Sequence, residues 1–261
     1  MSKYSPLISF VIVNFNTFDL TAKAISSIQI HTDAVDYEIV VVDNSSTECD
    51  PNKFKEAFHE IELVASDTNL GFAGGNILGI ENAQGTHICL LNSDAAILEA
   101  DWPEIISVAD RSDIGFVTGK LLYPDGRLQY NCQPYPWRKL ERLEKVGFHK
   151  LLPGKIRSDY FQGFYFDYDR VGYPDWVWGT FMFFRRELLS IYKGHTLPND
   201  FFMYYEDLQW CLLANRKGLK CIYLPSVKIL HEFSQSGGRK HKETMGDPRK
   251  FKEKLLKSEK K

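Results

Sequence analysis

Two short runs of β-branched apolar residues, 7–13 (LISFVIV) and 37–43 (YEIVVVD), constrain this chain most strongly. Each ends in short polar residues, and both read as buried parallel strands. Between them Leu20, Ala24, Ile25 and Ile28 recur at i, i+4, i+5 and i+8, one face of a helix over 18–30, with Thr17 or Asp19 available to cap it. The alternation continues with a strand at 61–65, a helix over about 75–82, a strand at 87–91 and a strand near 115–118. That order predicts an α/β fold, a mostly parallel sheet with helices on both faces. From 123 to 178 the pattern gives way to Tyr, Trp, Pro, Gly and charged residues without sustained periodicity. The stretch is too long for an ordinary connection and reads as a partly ordered lobe or lid. Regular structure resumes with a strand inside 177–187, a helix over 206–217 with Leu208, Cys211 and Leu212 as its apolar stripe and Gly218 at its C-terminal cap, and a strand at 219–225.

Composition narrows the class. The 261 residues are 44% hydrophobic and 25% charged, enough for one sizeable core and against disorder or coiled coil. A net charge of -2 offers no field for nucleic acid. No run approaches the roughly 18 apolar residues of a membrane span, and the N-terminus lacks the basic start and apolar stretch of a signal peptide, so a cytoplasmic protein is expected. The five cysteines are scattered without a CxxC pair and read as reduced, mostly buried thiols. Charge is unevenly divided: residues 237–261 hold ten Lys and Arg against four Asp and Glu, a net +6, while the preceding 236 residues net -8. With Phe251, Leu255 and Leu256 at helical spacing, this tail reads either as a peripheral contact with an anionic membrane surface or as a solvated C-terminal helix.

In an open α/β sheet ligands bind beyond the carboxyl ends of the strands. Here those ends are polar in succession: Asn14-Phe15-Asn16-Thr17, Asp43-Asn44-Ser45-Ser46 and Asn92-Ser93-Asp94. Each group also suits an ordinary turn or cap, but three at successive strand ends point to a ligand crevice. Asp43 can accept hydrogen bonds from a base or ribose edge, which suggests a nucleotide. The segment NLGFAGGN (69–76) is a Gly-rich loop entering a helix, where missing side chains let backbone approach a diphosphate or sugar, or simply cap the helix. It lacks the spacing of a Walker A or GxGxxG loop. Asp94 suits a hard divalent cation that bridges phosphate oxygens, and His231, after the strand-like VKIL, reads either as a second ligand or as an ordinary structural or surface histidine. Glu206 and Asp207 open a helix behind an aromatic cluster. The helix dipole alone favours acids there, and a general base is the functional reading.

In sequence order, VIVNFNT, VVVDNSS, NLGFAGGN, LLNSDA, WGTFMFFRRE and MYYEDLQWCLLANRKG resemble the family 2 glycosyltransferases with a GT-A fold, especially the bacterial rhamnosyltransferase-like branch that builds surface polysaccharides. The segment KLLYPDGRLQ (120–129) also looks like a stretch of that branch. The resemblance implies a single domain over 1–236, divided near 119 into a nucleotide-sugar half and an acceptor half with its own lobe, followed by the tail. It implies an inverting, metal-dependent transfer, with Mg2+ or Mn2+, from a dTDP- or UDP-linked sugar to a glycan or lipid-linked glycan. Carried over by position, Asn14, Asn16, Asp43, Ser45, Asn69, Gly71, Gly75, Asn76, Asn92 and Ser93 lie on the donor side. Asp94 and His231 hold the metal, Asp207 is the base, and Trp178, Gly179, Thr180 and Glu206 face the acceptor. Asn92 stands where the family's metal motif has its first Asp, leaving one carboxylate fewer. A sugar nucleotidyltransferase would carry a Gly-, Arg- and Lys-containing loop after the first strand, where this chain has NFNTFD. A non-catalytic nucleotide-sugar-binding protein of the same fold would be expected to lose at least one of Asp94, Asp207 and His231.

Overall fold

The computed structural model of the chain describes residues 7–135 and 140–232. The basic tail over 237–261 lies outside them, and so do both readings of it. Strands β1 (Ile8–Asn14), β2 (Tyr37–Asp43), β3 (Ile61–Ala65) and β4 (His87–Leu91) alternate with α1 (Phe18–His31), α2 (Lys53–Ala57) and α3 (Gly71–Asn82). They are followed by β5 (Ala95–Glu99), α4 (Trp102–Ala109), β6 (Ile114–Leu122), β7 (Leu128–Gln129), β8 (Cys132–Gln133), α5 (Leu140–Lys145), α6 (Gly154–Phe161), β9 (Trp176–Val177), β10 (Phe181–Arg185), α7 (Glu206–Arg216) and β11 (Lys220–His231).

The main sheet runs β3-β2-β1-β4-β10-β6-β11-β5, with β7 paired to the end of β6. Strands β1 to β4, β6 and β11 point one way, and β5, β7 and β10 run against them. The mostly parallel α/β sheet expected from the alternation is therefore present. Because both faces are covered, alternate residues of one strand enter different cores. Ile8, Phe10 and Ile12 pack with Ile25, Ile28, Trp102 and Ile105 of α1 and α4, while Val11 packs with Ala73, Ile80, Trp210 and Cys211 of α3 and α7. Trp102 anchors the first core: its ring meets Phe10 edge-on at 5.2 Å, and its indole N–H donates to the His31 carbonyl at 2.7 Å. All five cysteines are free and four of them are buried.

The structure differs from the sequence expectations at several points. Helix α3 begins at Gly71 rather than near 75, so the Gly-rich segment is mostly helix. The strand at 219–225 and the VKIL segment are one strand, β11, with a shift in its pairing to β6 between Leu224 and Lys228, where Pro225 has no N–H to give the ladder. The sequence reading missed β5 and α4. The signal for α4 was present: Asp101 caps it by accepting from the Glu104 N–H at 3.1 Å, and Pro103 sits in its first turn. Thr17 precedes α1 but makes no side-chain cap; its hydroxyl donates instead to Asn14 Oδ1 at 3.1 Å. Gly218 does end α7, in the left-handed region at φ +83°, with the Leu219 N–H donating to Ala214 and the Gly218 N–H to Asn215.

The aperiodic stretch folds as a lobe. Phe166, Tyr168 and Tyr223 pack edge to face with centroids 5.0 to 5.4 Å apart. The Tyr223 hydroxyl donates to the Tyr168 carbonyl at 2.8 Å, which fastens the lobe to β11.

Helix α3 packs close to the sheet because of its glycines. A Cβ at Gly79 would lie 2.3 Å from Val11 Cγ1 and 3.1 Å from Val42 Cγ2, and one at Gly75 would lie 2.7 Å from Val13 Cγ1. Overpacking of this kind costs about 1–3 kcal/mol, against about 1 kcal/mol that alanine gains over glycine in a helix. Gly79→Ala is therefore expected to lower stability by up to about 2 kcal/mol in urea denaturation; a raised midpoint would contradict this packing.

Candidate active site

The parallel register of β1 and β2 sets Asn14 beside Asp43 at their carboxyl ends. Asn14 Nδ2 donates to Asp43 Oδ1 and Ser46 Oγ, both at 2.9 Å. Its Oδ1 accepts from the hydroxyls of Thr17 at 3.1 Å and Thr21 at 2.9 Å. The four hydrogen-bonding positions of the amide are thereby used within the protein, and Asn14 braces Asp43. Asp43 Oδ2 also accepts from the Ser46 N–H at 3.1 Å. Asn16 and Ser45 adopt left-handed backbone, at φ +55° and +66°. Asn16 Oδ1 ties the two loops together by accepting from the Thr47 and Glu48 N–H groups at 2.7 and 3.1 Å.

Sequence reasoning passed over Asn44, which lies in the same DNSS run. Buried at 2% exposure, it donates to Asn69 Oδ1 at 3.0 Å and to the Gly71 carbonyl at 3.2 Å, and accepts from the Leu70 N–H at 2.8 Å. It clamps the start of α3 onto β2. The space at the nearby glycines is filled by the protein itself: a Cβ on Gly71, at φ +72°, would meet the Phe202 carbonyl oxygen at 2.1 Å, and Gly75 faces Val13. Asn69, Gly71, Asn76, Asn92 and Ser93 line one cavity together with Asn44, Phe72 and Met203. Asn14, Asn16 and Asp43 are joined through Ser46 in a separate network, while the Ser45 hydroxyl donates to the Asp67 carbonyl at 3.4 Å.

Two backbone links join the halves of the chain here. The Asn92 N–H donates to the Thr180 carbonyl, and the Phe72 N–H to the Phe202 carbonyl, each at 3.0 Å. The Ser93 hydroxyl donates to the Thr17 hydroxyl oxygen at 3.1 Å, since the Thr17 hydrogen is given to Asn14. Trp178 donates its N–H to the Asn131 carbonyl at 3.3 Å.

Asp94 and His231 are brought together by β5 and β11. Ala95 is paired with His231 in that antiparallel ladder, and the Glu232 N–H donates to the Asp94 carbonyl at 2.9 Å. Asp94 Oδ1 lies 3.3 Å from His231 Nε2, with both residues buried. Two donors at right angles around one small divalent ion, each about 2.1 Å from it, lie about 3 Å apart. The pair therefore fits such an ion. Among the described residues no group of three or more His, Cys, Asp or Glu side chains is arranged to hold a metal, so the other ligands would have to be substrate oxygens and water.

On the far side of Thr180, the Gly179 N–H donates to Asp207 Oδ2 at 3.0 Å and the Leu208 N–H to Asp207 Oδ1 at 2.8 Å. A Cβ on Gly179 would strike Phe72 at 2.7 Å. Tyr204 and Tyr205, just before α7, both have left-handed backbone at φ +68° and +76°. Such conformations cost about 1–3 kcal/mol each and persist only where the surroundings impose them. Glu206 is 4% exposed. Burial, and then the neighbouring Asp207 charge, push its carboxyl up to about 8. Burial also raises Asp207, to about 6, opposed by the backbone N–H groups that it accepts from. Both carboxyls are thus held above their ordinary range, each chiefly by burial, with the Asp207 charge adding to the rise of Glu206.

A carboxyl raised on folding binds its proton more tightly in the native state. Its contribution to stability is complete below its ordinary value of 4.5 and is lost as pH rises through about 8. Glu206→Gln is expected to flatten that part of the stability-against-pH curve measured by chemical denaturation; an unchanged slope would place the proton elsewhere.

Residues 9–191 match the family model for glycosyl transferase family 2. Among curated relatives, the low-salt glycan biosynthesis hexosyltransferase Agl10 of Haloferax volcanii is 25% identical over 200 residues, 74% of this chain and 58% of the relative. The O-antigen biosynthesis protein RfbC of Myxococcus xanthus is 22% identical over 89% of this chain and 18% of the relative. The chain thus spans little more than half of one and under a fifth of the other. Among solved structures, the mannosyltransferase PcManGT of Pyrobaculum calidifontis, in complex with GDP-Man and Mn2+, has a TM-score of 0.58 at 18% identity, covering 90% of this chain and 59% of that one. GalNAc-T7 with UDP, GalNAc and Mn2+ has a TM-score of 0.62 at 13% identity, covering 88% and 44%. At such identities the likeness is one of fold.

Proposed function

The chain belongs to glycosyl transferase family 2 and has the GT-A fold, and on that premise we propose that it transfers a sugar from a nucleoside diphosphate donor to an acceptor hydroxyl with inversion at the anomeric carbon. The observation that carries this reading is the Asp207 carboxylate, half-buried, oriented by two backbone N–H groups and set beside the buried Glu206 carboxyl. Asp207 takes the proton of the acceptor hydroxyl as that oxygen attacks, and Glu206, Trp178, Gly179 and Thr180 form the acceptor side. The donor lies along the strand ends, with the nucleotide toward Asp43, Asn14, Asn16 and Ser45 and the sugar toward Asn69, Gly71, Gly75, Asn76, Asn92 and Ser93. Asp94 and His231 hold a divalent cation, Mg2+ or Mn2+, which when bound supplies positive charge against the departing diphosphate. Donors of the dTDP-rhamnose or UDP-hexose class fit the branch that the sequence resembles. The relatives named for glycan and O-antigen biosynthesis support a surface polysaccharide or lipid-linked glycan as acceptor.

The test is nucleoside diphosphate release across a panel of nucleotide sugars, with Mn2+ or with EDTA. One donor is expected to be turned over, with kcat lowered about 10²–10⁴-fold in Asp207→Asn and metal dependence lost in Asp94→Ala. The wild-type rate should rise with pH up to about 6, as Asp207 loses its proton, and then level off. Full turnover by Asp207→Asn would remove the base from this position.

A lipid-linked acceptor calls for contact with a membrane surface. No helix among the described residues is long and apolar enough to cross one. The lobe, however, exposes Val146, Phe148, Leu151, Ile156, Tyr160 and Phe164, with Lys145, Lys150, Lys155 and Arg157 set among them. Apolar side chains interleaved with lysine and arginine suit an anionic bilayer surface, as does the +6 tail. The full chain is expected to sediment with phosphatidylserine vesicles more than with neutral ones, and the double substitution Val146→Glu, Leu151→Glu should lower the bound fraction. Equal sedimentation of the two proteins would exclude the lobe from that contact.

A further inference from the structure

Gln129 closes the KLLYPDGRLQ segment and is not among the expected site residues, yet it makes two hydrogen bonds to residue 231, across 102 residues of sequence. Its Nε2 donates to the His231 carbonyl at 2.8 Å, and its Oε1 lies 2.7 Å from His231 Nδ1. Gln129 is 1% exposed. It is delivered there by a turn in which the Gly126 N–H donates to Tyr123 and the Tyr123 N–H to Arg127, with Gly126 at φ +80°. That turn folds β7 back on β6 and pairs Gln129 with Leu121.

The chemistry of the two bonds removes the usual ambiguity of an amide and an imidazole. A backbone carbonyl only accepts, so the amide NH2 must face it, and the amide oxygen must then face Nδ1. That oxygen also only accepts, so Nδ1 must carry the hydrogen. In the neutral ring the lone pair is then on Nε2, the nitrogen 3.3 Å from Asp94 Oδ1. We propose that Gln129 is a positioning residue, which holds His231 as the Nδ1–H tautomer and aims Nε2 at the point where Asp94 and His231 would share a divalent cation. This rests on the cation reading above. A partner that fixes the second nitrogen of a ligating histidine commonly contributes about 10–100-fold to metal affinity.

The experiment combines two measurements on the full chain. Two-bond ¹H–¹⁵N spectra of protein labelled in its histidine rings, with the His231 signals assigned by their loss in His231→Ala, read the tautomer without metal. Titration with Mn2+ in the presence of UDP, following free Mn2+ by electron paramagnetic resonance, reads affinity. The wild type is expected to show Nδ1–H at His231. Gln129→Leu, close in size and without an acceptor, should give a mixture of tautomers and bind Mn2+ about 10–100-fold more weakly. Gln129→Glu keeps an acceptor for Nδ1–H but loses the donor to the His231 carbonyl, and should retain the Nδ1–H ring, so the tautomer still tests the proposal if the Leu variant fails to fold. An Nε2–H ring in the wild type, or unchanged tautomer and affinity in Gln129→Leu, would overturn the role of Gln129. A wild type with the Nδ1–H ring and no Mn2+ binding would overturn the cation reading, and with it the purpose given to the ring.

Discussion

The antiparallel pairing of β5 with β11 is the constraint on which the candidate site depends. It sets Ala95 against His231 and so brings Asp94, at the end of one half of the chain, to the imidazole at the end of the other. Strand β11 also pairs in parallel with β6, which makes it the next-to-last strand of the sheet, with β5 at the edge. A partner three residues out of register would carry the imidazole about 10 Å away. The pairing is also where β11 departs from regularity, with register shifts on both of its edges around Lys228. One long strand thereby serves two neighbours that run in opposite directions.

A second antiparallel insertion does comparable work for Asp207. Strand β10 lies between β4 and β6 and runs against both, so its amino end meets the carboxyl end of β4. Thr180 and Asn92 meet there through a backbone hydrogen bond, and the next residue back, Gly179, donates to Asp207. The Asp94–His231 pair and the Glu206–Asp207 pair are therefore joined through two hydrogen bonds and a few residues of backbone. The left-handed Tyr204 and Tyr205 show that the approach to α7 is imposed by its surroundings rather than by local preference. The contact of Phe202 with Gly71 and Phe72 is one source of that imposition.

Much of the fold was legible because burial on both faces leaves a plain trace in the sequence. The runs at 7–13 and 37–43 are strands, α7 presents the apolar face read for it, and α1 buries Ala24, Ile25 and Ile28 of its expected face while Leu20 stays half-buried. What escaped had weaker or misleading signals. The residues of β5, AAILE, are short and half exposed, with none of the β-branched density that marks β2. The glycines of 69–76 suggested a loop open to a ligand, but glycine spacing is the same whether the open side faces a phosphate or a neighbouring valine. Asn44 and Gln129 each look like an ordinary polar residue in a turn-rich segment, and their importance lies in partners 25 to 102 residues away.

The order of elements, the two-sided burial of the sheet and the family resemblance are properties of local pattern, and they can be read from the chain because hydrophobic periodicity and turn chemistry act over a few residues. The meeting of Asp94 with His231, the bracing of Asp43 by Asn14 and the raised carboxyls of Glu206 and Asp207 belong to the tertiary structure. They depend on strand register, on distances of about 3 Å and on how far a group is withdrawn from water. These are set only when distant segments pack together: adjacency in sequence puts Asp207 beside Glu206, but burial, the larger cause of the rise, comes from the fold.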